Sequence, residues 1–248
     1  MLLKKERFDF ILRQVNLHNR VLSTDLSSLL GVSDDTVRRD LSELAEMGHI
    51  VKVHGGALSK SYHFPIHQST TYAQKEKGII GKKAVQLIKP GMVILTEAGT
   101  TMMEMVRQIP EDLEATFFTV SPLMALELAQ YPGLTVILLG GQMDMTSQIC
   151  LGEKPITELS QIRVDLCFLG ANAIDAKNGL TETDWRVVQV KKAMIQSAQK
   201  LAVLTISEKM QSIHKMKVCP ISRINYLITE RKPSDKKLIA YSKHTQIL

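Results

Sequence analysis

The sequence has few of the residues that mark secreted, metal-binding or membrane-spanning proteins. Its 248 residues include three cysteines, one tryptophan and only 5% aromatic residues. Cys150, Cys167 and Cys219 form no CxxC pair and have no histidine at metal-ligand spacing, which argues against a disulfide framework and a zinc site. No apolar run approaches the ~18 residues of a membrane span, and the start MLLKKERFDF is charged where a signal peptide is apolar. We therefore expect a cytoplasmic protein with no metal and no membrane partner.

Length and composition indicate a soluble globular protein of one or two domains. Hydrophobic residues make up 44% of the chain and charged residues 23%, which excludes collagen-like and disordered classes. The net charge of +6 is unevenly distributed: residues 84–185 carry 13 acidic and 5 basic side chains, and residues 186–248 carry 3 and 13. These regions complement each other, within one domain or across a subunit interface. Net charge is therefore weak evidence for nucleic-acid binding, which has to be argued from local motifs.

The first fifty residues predict three helices. Apolar residues recur at helical spacing over residues 3–16, which indicates an amphipathic helix. Ser23 and Gly31 bracket a second helix of only two turns, and Ser33 and Gly48 bracket a third. A short helix, a turn of about four residues containing glycine and a further helix with a polar outer face form the helix-turn-helix arrangement.

The third predicted helix carries two adjacent arginines on or beside its polar face. At 100° per residue, Arg39 points away from the apolar face and Arg38 lies on its flank. Arg39 is placed for a bidentate contact with guanine, and Arg38 for a contact with phosphate. The alternative is a solvated helix face on which Asp34 and Asp35 form ion pairs with the arginines. The short helix that precedes this one favours DNA binding.

The segment after the third helix is predicted to form a small hairpin, the wing of a winged helix-turn-helix. Apolar and polar residues alternate over residues 49–54, and a pair of glycines follows. Lys52 and His54 would then approach the DNA backbone. The predicted DNA-contacting residues are Ser33, Asp35, Thr36, Arg38, Arg39, Ser42, Lys52 and His54.

This segment contains a specific motif, S-x-x-T-h-R-R-D-L with h apolar, from Ser33 to Leu41, and the run H-G-G-A from His54 to Ala57. The combination is far more specific than a generic helix-turn-helix, and it resembles the amino-terminal domain of the DeoR family of bacterial transcriptional regulators. The resemblance implies that residues 1–58 form a domain that binds double-stranded operator DNA.

Strands and helices alternate in the rest of the chain, after a predicted linker over residues 59–76. The alternation predicts βαβ units and an α/β domain over residues 77–248 with a mainly parallel sheet and helices on both faces. Helical patterns cover residues 101–108, 122–130 and 184–199. Strand-like apolar runs occur at residues 92–95, 115–120, 134–139, 165–169, 201–206 and 226–228.

Small and polar residues follow several of these strands, where parallel sheets bind their ligands. The run Gly99-Thr100-Thr101 opens a helix, so its free amides, hydroxyls and helix dipole could hold a phosphate, with Lys209 as a countercharge. Neither a Walker loop nor a dinucleotide fingerprint is present, so no cofactor is expected. Any single glycine turn is more often structural than functional. The predicted effector-binding residues are Gly99, Thr100, Thr101, Ser121, Gly140, Gly141, Gly170, Asn172 and Lys209.

The region from Lys77 to Glu230 is similar to the sensor domain of the DeoR family. The matching positions include Gly99-Thr100-Thr101, Leu139-Gly140-Gly141, Gly152, Asp165, Leu169-Gly170, Gly179-Leu180, Lys191 to Ile195, Lys209 and Thr229. The resemblance implies a fold like that of ribose-5-phosphate isomerase, which binds phosphorylated sugars or related metabolites that weaken DNA binding. Where the family usually has Asp before the glycine-threonine pair, this chain has Glu97 two residues earlier. The chain also departs from the family pattern at Ser69, Val120, Val187 and Ile206, where the family more often has a charged or amide side chain.

Together these features predict a transcriptional regulator, most simply a repressor of a carbohydrate operon that a phosphorylated sugar or related anionic metabolite relieves. One alternative is a DNA-binding regulator that needs no ligand, which the four departures favour. Another is a sugar-phosphate isomerase, but Glu97, Glu182, Asp184 and Glu208 show no acid/base spacing that supports catalysis. One helix-turn-helix reads one half-site, so a homodimer or homotetramer is expected.

Overall fold

The computed structural model describes residues 2–18, 20–59 and 72–248. The chain divides into two compact units, Met1–Tyr72 and Ala73–Leu248. Residues 60–71 of the predicted linker, Ser69 among them, lie outside the described residues. The first helix of the second unit begins at Gln74, two residues before the predicted end of the linker.

The first unit has the predicted three helices and hairpin, and a short additional strand. Its elements are α1 (Lys4–His18), β1 (Arg20–Leu22), α2 (Ser23–Leu30), α3 (Asp34–Glu46), β2 (Ile50–Val53) and β3 (Gly56–Ser59). Gly31 takes the left-handed conformation that ends α2, with a φ of 62°, and the Ser33 hydroxyl accepts a hydrogen bond from the Thr36 amide to begin α3. Ser23 is the first residue of α2 rather than its cap, because Leu22 occupies the cap position.

The three strands of this unit form an antiparallel sheet in the order β1-β3-β2. β2 and β3 are joined through His54 and Gly55, as the predicted wing requires, and Gly55 has a φ of +76°. Gly56 lies against β1 so closely that a β-carbon on it would be 1.9 Å from the carbonyl oxygen of Val21. The predicted glycine pair is therefore needed for two different reasons, a left-handed turn and a close backbone approach.

The second unit is built on a seven-stranded sheet in which every neighbouring pair is parallel. Its order is β15-β14-β12-β9-β4-β5-β6. The predicted mainly parallel sheet is confirmed: the apolar runs of the sequence form six of its strands, and the two-residue strand at one edge was not predicted. These strands are β4 (Val93–Thr96), β5 (Ala115–Thr119), β6 (Leu134–Leu138), β9 (Val164–Gly170), β12 (Ala198–Leu204), β14 (Tyr226–Ile228) and β15 (Gln246–Ile247).

The helices of this unit follow the predicted pattern, with two additions, α7 and α9. They are α4 (Gln74–Val85), α5 (Thr100–Val106), α6 (Pro122–Leu128), α7 (Glu153–Ser160), α8 (Trp185–Ser197) and α9 (Ile239–Ser242). Two small antiparallel sheets were not predicted, since their strands have only three or four residues and lie among polar turns. One pairs β7 (Gln142–Asp144) with β8 (Ile149–Leu151), and the other has the order β10 (Ala173–Asp175), β11 (Gly179–Glu182), β13 (Met216–Cys219).

None of the helices within the described ranges has the length and apolar composition that a bilayer span requires. The three cysteines are buried and reduced.

Candidate nucleic-acid interface and effector site

The arginines of α3 are the most prominent charged groups on its outer face. The side chains of Arg39 and Arg38 are 83% and 64% exposed. Their closest carboxylate oxygens belong to Asp35, at 3.8 Å from Arg39 and 3.9 Å from Arg38. Exposed pairs at this distance contribute at most about 1 kcal/mol. Both guanidinium groups therefore remain available to an incoming anion, because their ion pairs with Asp35 are weak.

Acidic residues on the other side of α3 are occupied by α1. Asp40 is buried and receives two hydrogen bonds from the Arg7 guanidinium, from Nε at 2.7 Å and Nη2 at 3.0 Å. Glu43 pairs with the Lys4 ammonium at 2.6 Å. These contacts neutralise carboxylates that would otherwise oppose the field of the two exposed arginines. The acidic residues behind the two arginines are therefore paired, and the carboxylates that stay exposed on α3 are those of Asp35 and Glu46.

The wing contacts the middle of α3. The Lys52 ammonium on β2 donates a hydrogen bond to the Ser42 hydroxyl at 2.6 Å, and that hydroxyl donates to the Arg38 carbonyl at 2.8 Å. At the other end of the helix, the hydroxyls of Ser33 and Thr36 are 2.9 Å apart. His54 is exposed at the tip of the hairpin. All eight predicted DNA-contacting residues lie on α3, its cap or the wing, and their contacts with DNA remain predictions.

The predicted effector residues that follow β4 and β9 lie at the point at which the order of the parallel sheet reverses; these are Gly99, Thr100, Thr101, Gly170 and Asn172. From β4 the chain proceeds outward to β5 and β6 on one side, and then crosses to β9 on the other side. A crevice forms outside the carboxyl ends of two strands that diverge in this way. Glu97 and Gly99 follow β4 here, and Gly170 ends β9. The Gly170 amide donates a hydrogen bond to Glu97 across this junction.

Glu97 belongs to a buried charged cluster that spans four elements. The Lys191 ammonium on α8 lies 2.7 Å from a Glu182 oxygen on β11 and 3.5 Å from Glu97, and it donates to the Gly170 carbonyl at 3.0 Å. Glu182 also accepts hydrogen bonds from the Asn172 amide, at 2.9 and 3.0 Å. All three charged side chains of this cluster are at most 5% exposed as residues. The cluster fixes Asn172 and the end of β9 at the crevice.

Glu97 and Glu182 have different pKa values, because both are buried but Lys191 lies closer to Glu182. Burial raises the pKa of Glu97 to about 7, although Lys191 and the Gly170 amide favour its ionised form. Burial also opposes ionisation of Glu182, but Lys191, Asn172 and the Thr183 amide outweigh it and hold the pKa of Glu182 below its ordinary value. Near neutral pH the cluster therefore holds one firmly ionised carboxylate and one that titrates.

Two further lysines, Lys209 and Lys77, lie close together at the same edge of the sheet as this cluster. Burial lowers the pKa of Lys209 to about 8, and the carboxylates of Glu182 and Glu97 offset this only in part. Burial and repulsion from Lys209 lower the pKa of Lys77, on α4, to about 7. Within the described part of the chain, no carboxylate forms an ion pair with the half-buried Lys209. Two desolvated ammonium groups that repel each other form a region that an anion would stabilise.

The remaining predicted effector residues differ in their exposure. Gly99 has a φ of 132° and precedes α5, and the hydroxyls of Thr100 and Thr101, both half-buried, have no hydrogen-bond partner among the described residues. Ser121 is fully buried, and its hydroxyl accepts from the Met124 amide to cap α6. An effector contact therefore stays a prediction for all of these residues, and Ser121 already has a structural role.

The two glycines after β6 have different surroundings. A β-carbon on Gly141 would lie 2.9 Å from the Leu151 carbonyl oxygen and 3.0 Å from Pro155, so this glycine is required by packing. A β-carbon on Gly140 would meet only the Lys154 ammonium, at 3.6 Å. Gly140 is therefore the better of the two as a ligand-facing residue.

Lys77 and Lys191 were not among the predicted site residues. Lys77 shares one face of α4 with the buried Ile80 and Ala84, at helical spacing, so a cation on an apolar stripe is the signal that could have identified it. No local sequence pattern indicates that Lys191 contacts Glu97 and Glu182, because the three residues lie in three different segments of the chain.

Three of the departures from the family pattern, Val120, Val187 and Ile206, lie at buried apolar positions. Val120 is fully buried and Val187 nearly so, and both belong to the main core of the second unit. Ile206 is 3% exposed and directly precedes the turn that carries Lys209. Apolar side chains at these positions are satisfied without a ligand, so the departures do not leave polar groups unpaired.

Comparison with known proteins covers both units. Residues 7–62 match a DeoR-like helix-turn-helix domain, and residues 72–231 match a DeoR C terminal sensor domain. The chain is 32% identical to an HTH-type transcriptional regulator GlpR of Haloferax volcanii, over 83% of this chain and 81% of that protein. It is 30% identical to the HTH-type transcriptional repressor GlcR of Bacillus subtilis (93% and 90%) and 30% identical to a lactose phosphotransferase system repressor of Staphylococcus epidermidis (94% and 95%).

Solved structures resemble the chain in fold. The tetrameric eIF2B-beta2-delta2 complex from C. thermophilum matches with a TM-score of 0.50 and 13% identity, over 96% of this chain and 71% of that one. A ribose 5-phosphate isomerase A from Methanocaldococcus jannaschii matches with a TM-score of 0.40 and 22% identity, over 54% and 53%, which is too weak a likeness to argue from.

Proposed function

Because the chain belongs to the DeoR family of transcriptional regulators, we propose that it represses a carbohydrate operon and is released from operator DNA by a phosphorylated sugar or a related anionic metabolite. It is a DNA-binding regulator and not an enzyme, so the isomerase alternative is rejected. The observation that carries the DNA-binding role is the outer face of α3, where Arg38 and Arg39 are exposed while Arg7 and Lys4 neutralise the acids behind them.

The geometry supports different roles for the two arginines. Arg39 is the more exposed and projects furthest from the apolar face of α3, as a residue that reaches base edges must. Arg38 lies beside Ser42 and Lys52, in a cluster that faces the flank of the helix. Base contacts determine sequence specificity, whereas phosphate contacts release counterions and set the salt dependence.

The experiment compares Arg39→Ala and Arg38→Ala on operator and on random duplex DNA over a range of salt concentrations. Arg39→Ala should weaken operator binding by about 1–3 kcal/mol and affect random DNA less. Arg38→Ala should weaken both and reduce the salt slope by about 1. Lys217→Ala, which removes an exposed charge from the second unit, is the matched control. Equal losses for both arginine variants on both DNAs would contradict the separate roles.

The effector is anionic in this proposal because burial disfavours the charged forms of Lys209 and Lys77, and a bound anion would favour them. Both ammonium groups are desolvated by burial, and Lys209 further disfavours the charged form of Lys77. The hydroxyls of Thr100 and Thr101 open α5 at the same edge of the sheet and can donate to phosphate oxygens. Gly170 and Asn172, held by the buried cluster, then face the sugar hydroxyls. The lysine–phosphate contact should contribute about 1.5–3 kcal/mol, or roughly ten- to more than a hundredfold in affinity.

A panel of aldose and ketose phosphates, with the unphosphorylated sugars as matched controls, tests this site by thermal shift and by release of operator DNA. Lys209→Met and Thr100→Val should weaken the response to the active compound and leave operator affinity intact. If both variants release DNA at the wild-type effector concentration, the effector binds elsewhere. If no phosphate in the panel stabilises the wild-type protein, the ligand-independent alternative gains support.

Proton uptake gives an independent test of the same site. An anion beside Lys77 and Lys209 should raise both lysine pKa values from about 7 and about 8, so binding near pH 8 should take up protons. The heat of binding measured in two buffers of different ionisation enthalpy would then differ. A binding heat independent of the buffer would argue against contact with these lysines.

Two further features complete the proposal. The protein acts in the cytoplasm, where operator DNA and phosphorylated sugars are found. It binds DNA as a homodimer or homotetramer, because each chain carries one recognition helix and one helix reads one half-site.

A further inference from the structure

The two edges of the seven-stranded sheet differ in their protection against pairing. The strand β15, at one edge, has two residues, and the exposed Lys243 and His244 lie just before it. A short edge strand flanked by a charge does not pair readily with another strand. The strand β6, at the other edge, has five residues, Leu134–Leu138, with no charge, proline or glycine. Among the strands that the structure describes, the β6 edge of this sheet is therefore the one that is open to an additional strand.

Apolar side chains are exposed along this open edge. Ile137 and Leu138 are 38% and 44% exposed, and Thr135 beside them is exposed as well. Among the strands that the structure describes, β6 has a partner only in β5. The helix α6 packs on β6 and exposes Leu126, and β7 exposes Met143 soon after β6 ends. We call these five residues the β6 edge surface.

The β6 edge surface is electrically neutral. Residues 128–143 contain no charged side chain. The nearest charges on either side, Glu127 and Asp144, already pair with Arg107 at 3.5 Å and Arg186 at 3.1 Å. A two-fold axis places a surface against its own copy, so like charges on it would repel. The uncharged residues of the β6 edge surface therefore meet the requirement that a two-fold interface imposes.

We propose that the β6 edge surface joins two copies of this chain, with β6 antiparallel to the β6 of the second copy, so that two sheets become continuous. The outward backbone groups of β6 then gain partners, and the apolar side chains of both copies cover each other. This inference rests on the proposed function in one respect: a regulator with one recognition helix per chain needs a second copy to read two half-sites.

The test measures the mass of the full-length protein by sedimentation equilibrium over a range of concentrations. Thr135→Lys and Ile137→Lys each place like charges across the two-fold axis, and the dimer dissociation constant should rise at least about tenfold, the equivalent of about 1.4 kcal/mol. Thr135 is polar and exposed, so its variant tests the edge even if Ile137→Lys fails to fold. Ile239→Lys, at a 57% exposed position on α9, is the matched control and should dimerise like the wild type.

A charge-swap mixture identifies the partner as a second copy. Ile137→Lys and Ile137→Glu should each dimerise poorly alone, and their equimolar mixture should recover a dimer. Dimerisation of Thr135→Lys and Ile137→Lys at wild-type strength would overturn the proposal, as would a mixture that stays monomeric. Binding to a duplex with a single half-site is measured in parallel. If the dimer-deficient variants bind this half-site duplex like the wild type, their loss of dimerisation is separate from the DNA-binding function of one chain.

Discussion

The buried cluster around Lys191 predicts an unusual dependence of stability on pH. Glu97 has a pKa of about 7 in the folded protein and about 4.5 as an unperturbed group. Between these values the folded state binds more protons than the unfolded state, so the free energy of unfolding falls as the pH rises. The contribution of protonated Glu97 is fully present below about pH 4.5 and is lost as the pH rises through 7. Most surface carboxylates do not behave in this way.

The size of the effect follows from the two pKa values. Their difference corresponds to a change of about 3 kcal/mol in the free energy of unfolding across the whole titration of Glu97, of which about 2 kcal/mol falls between pH 5 and pH 7. Glu97→Gln removes the titration and keeps both the shape and an oxygen that accepts from the Gly170 amide. It also leaves Lys191 with one ionised partner, Glu182. The free energy of unfolding of the variant, relative to that of the wild type, should therefore rise by about 2 kcal/mol between pH 5 and pH 7.

Urea unfolding of both proteins at several pH values, followed by circular dichroism and by the fluorescence of the single tryptophan, Trp185, measures this difference. Burial lowers the pKa of His214, but His214 titrates in both proteins and its effect cancels. Glu208→Gln, at an exposed position on the same edge of the sheet, is the control and should give the wild-type profile. Parallel pH profiles for the wild type and Glu97→Gln would refute the reasoning, because they would show that Glu97 does not titrate in this window.

Two further predictions concern the first unit. Asp40→Ala leaves the Arg7 guanidinium, 13% exposed, without its carboxylate and should destabilise the unit by about 3–5 kcal/mol in chemical denaturation; an unchanged midpoint would show that the pair is not needed. Gly56→Ala forces a methyl group into the Val21 carbonyl oxygen and should lower stability by more than Gly55→Ala, which has open space and costs about 1 kcal/mol of backbone strain; the reverse order would contradict the close approach of β1 and β3.

The fold of the first unit could be predicted because its signals are local. Ser33 and Gly31 determine where two helices begin and end, and a cap or a left-handed turn depends on a few neighbouring residues. The burial of Asp40 could not be predicted, since its partner Arg7 is 33 residues away. The position of Asp40 on α3 indicates only that it lies beside apolar residues. A buried carboxylate at such a place implies a basic partner but does not identify it.

In the second unit, predictability depended on the apolar composition of each strand. Strands of five to seven residues, such as β9 and β12, form continuous apolar runs because both of their faces are covered. The strands of the antiparallel sheet β10-β11-β13 have three or four residues and include polar ones, so they resemble turns. This difference matters for function, because β11 carries Glu182 into the charged cluster.

The charge balance of the effector site shows why its chemistry could not be derived from the sequence alone. Five ionisable residues meet there from five segments: Lys77, Glu97, Glu182, Lys191 and Lys209. Three are cations and two are carboxylates, and one carboxylate is held ionised while the other titrates near pH 7. Residues of these types usually lie at the protein surface. They become neighbours here because the chain crosses back from β6 to form β9 beside β4. Lys191 is held by the two carboxylates, whereas burial disfavours the charged forms of Lys77 and Lys209, so a bound anion is the partner that would stabilise both ammonium groups.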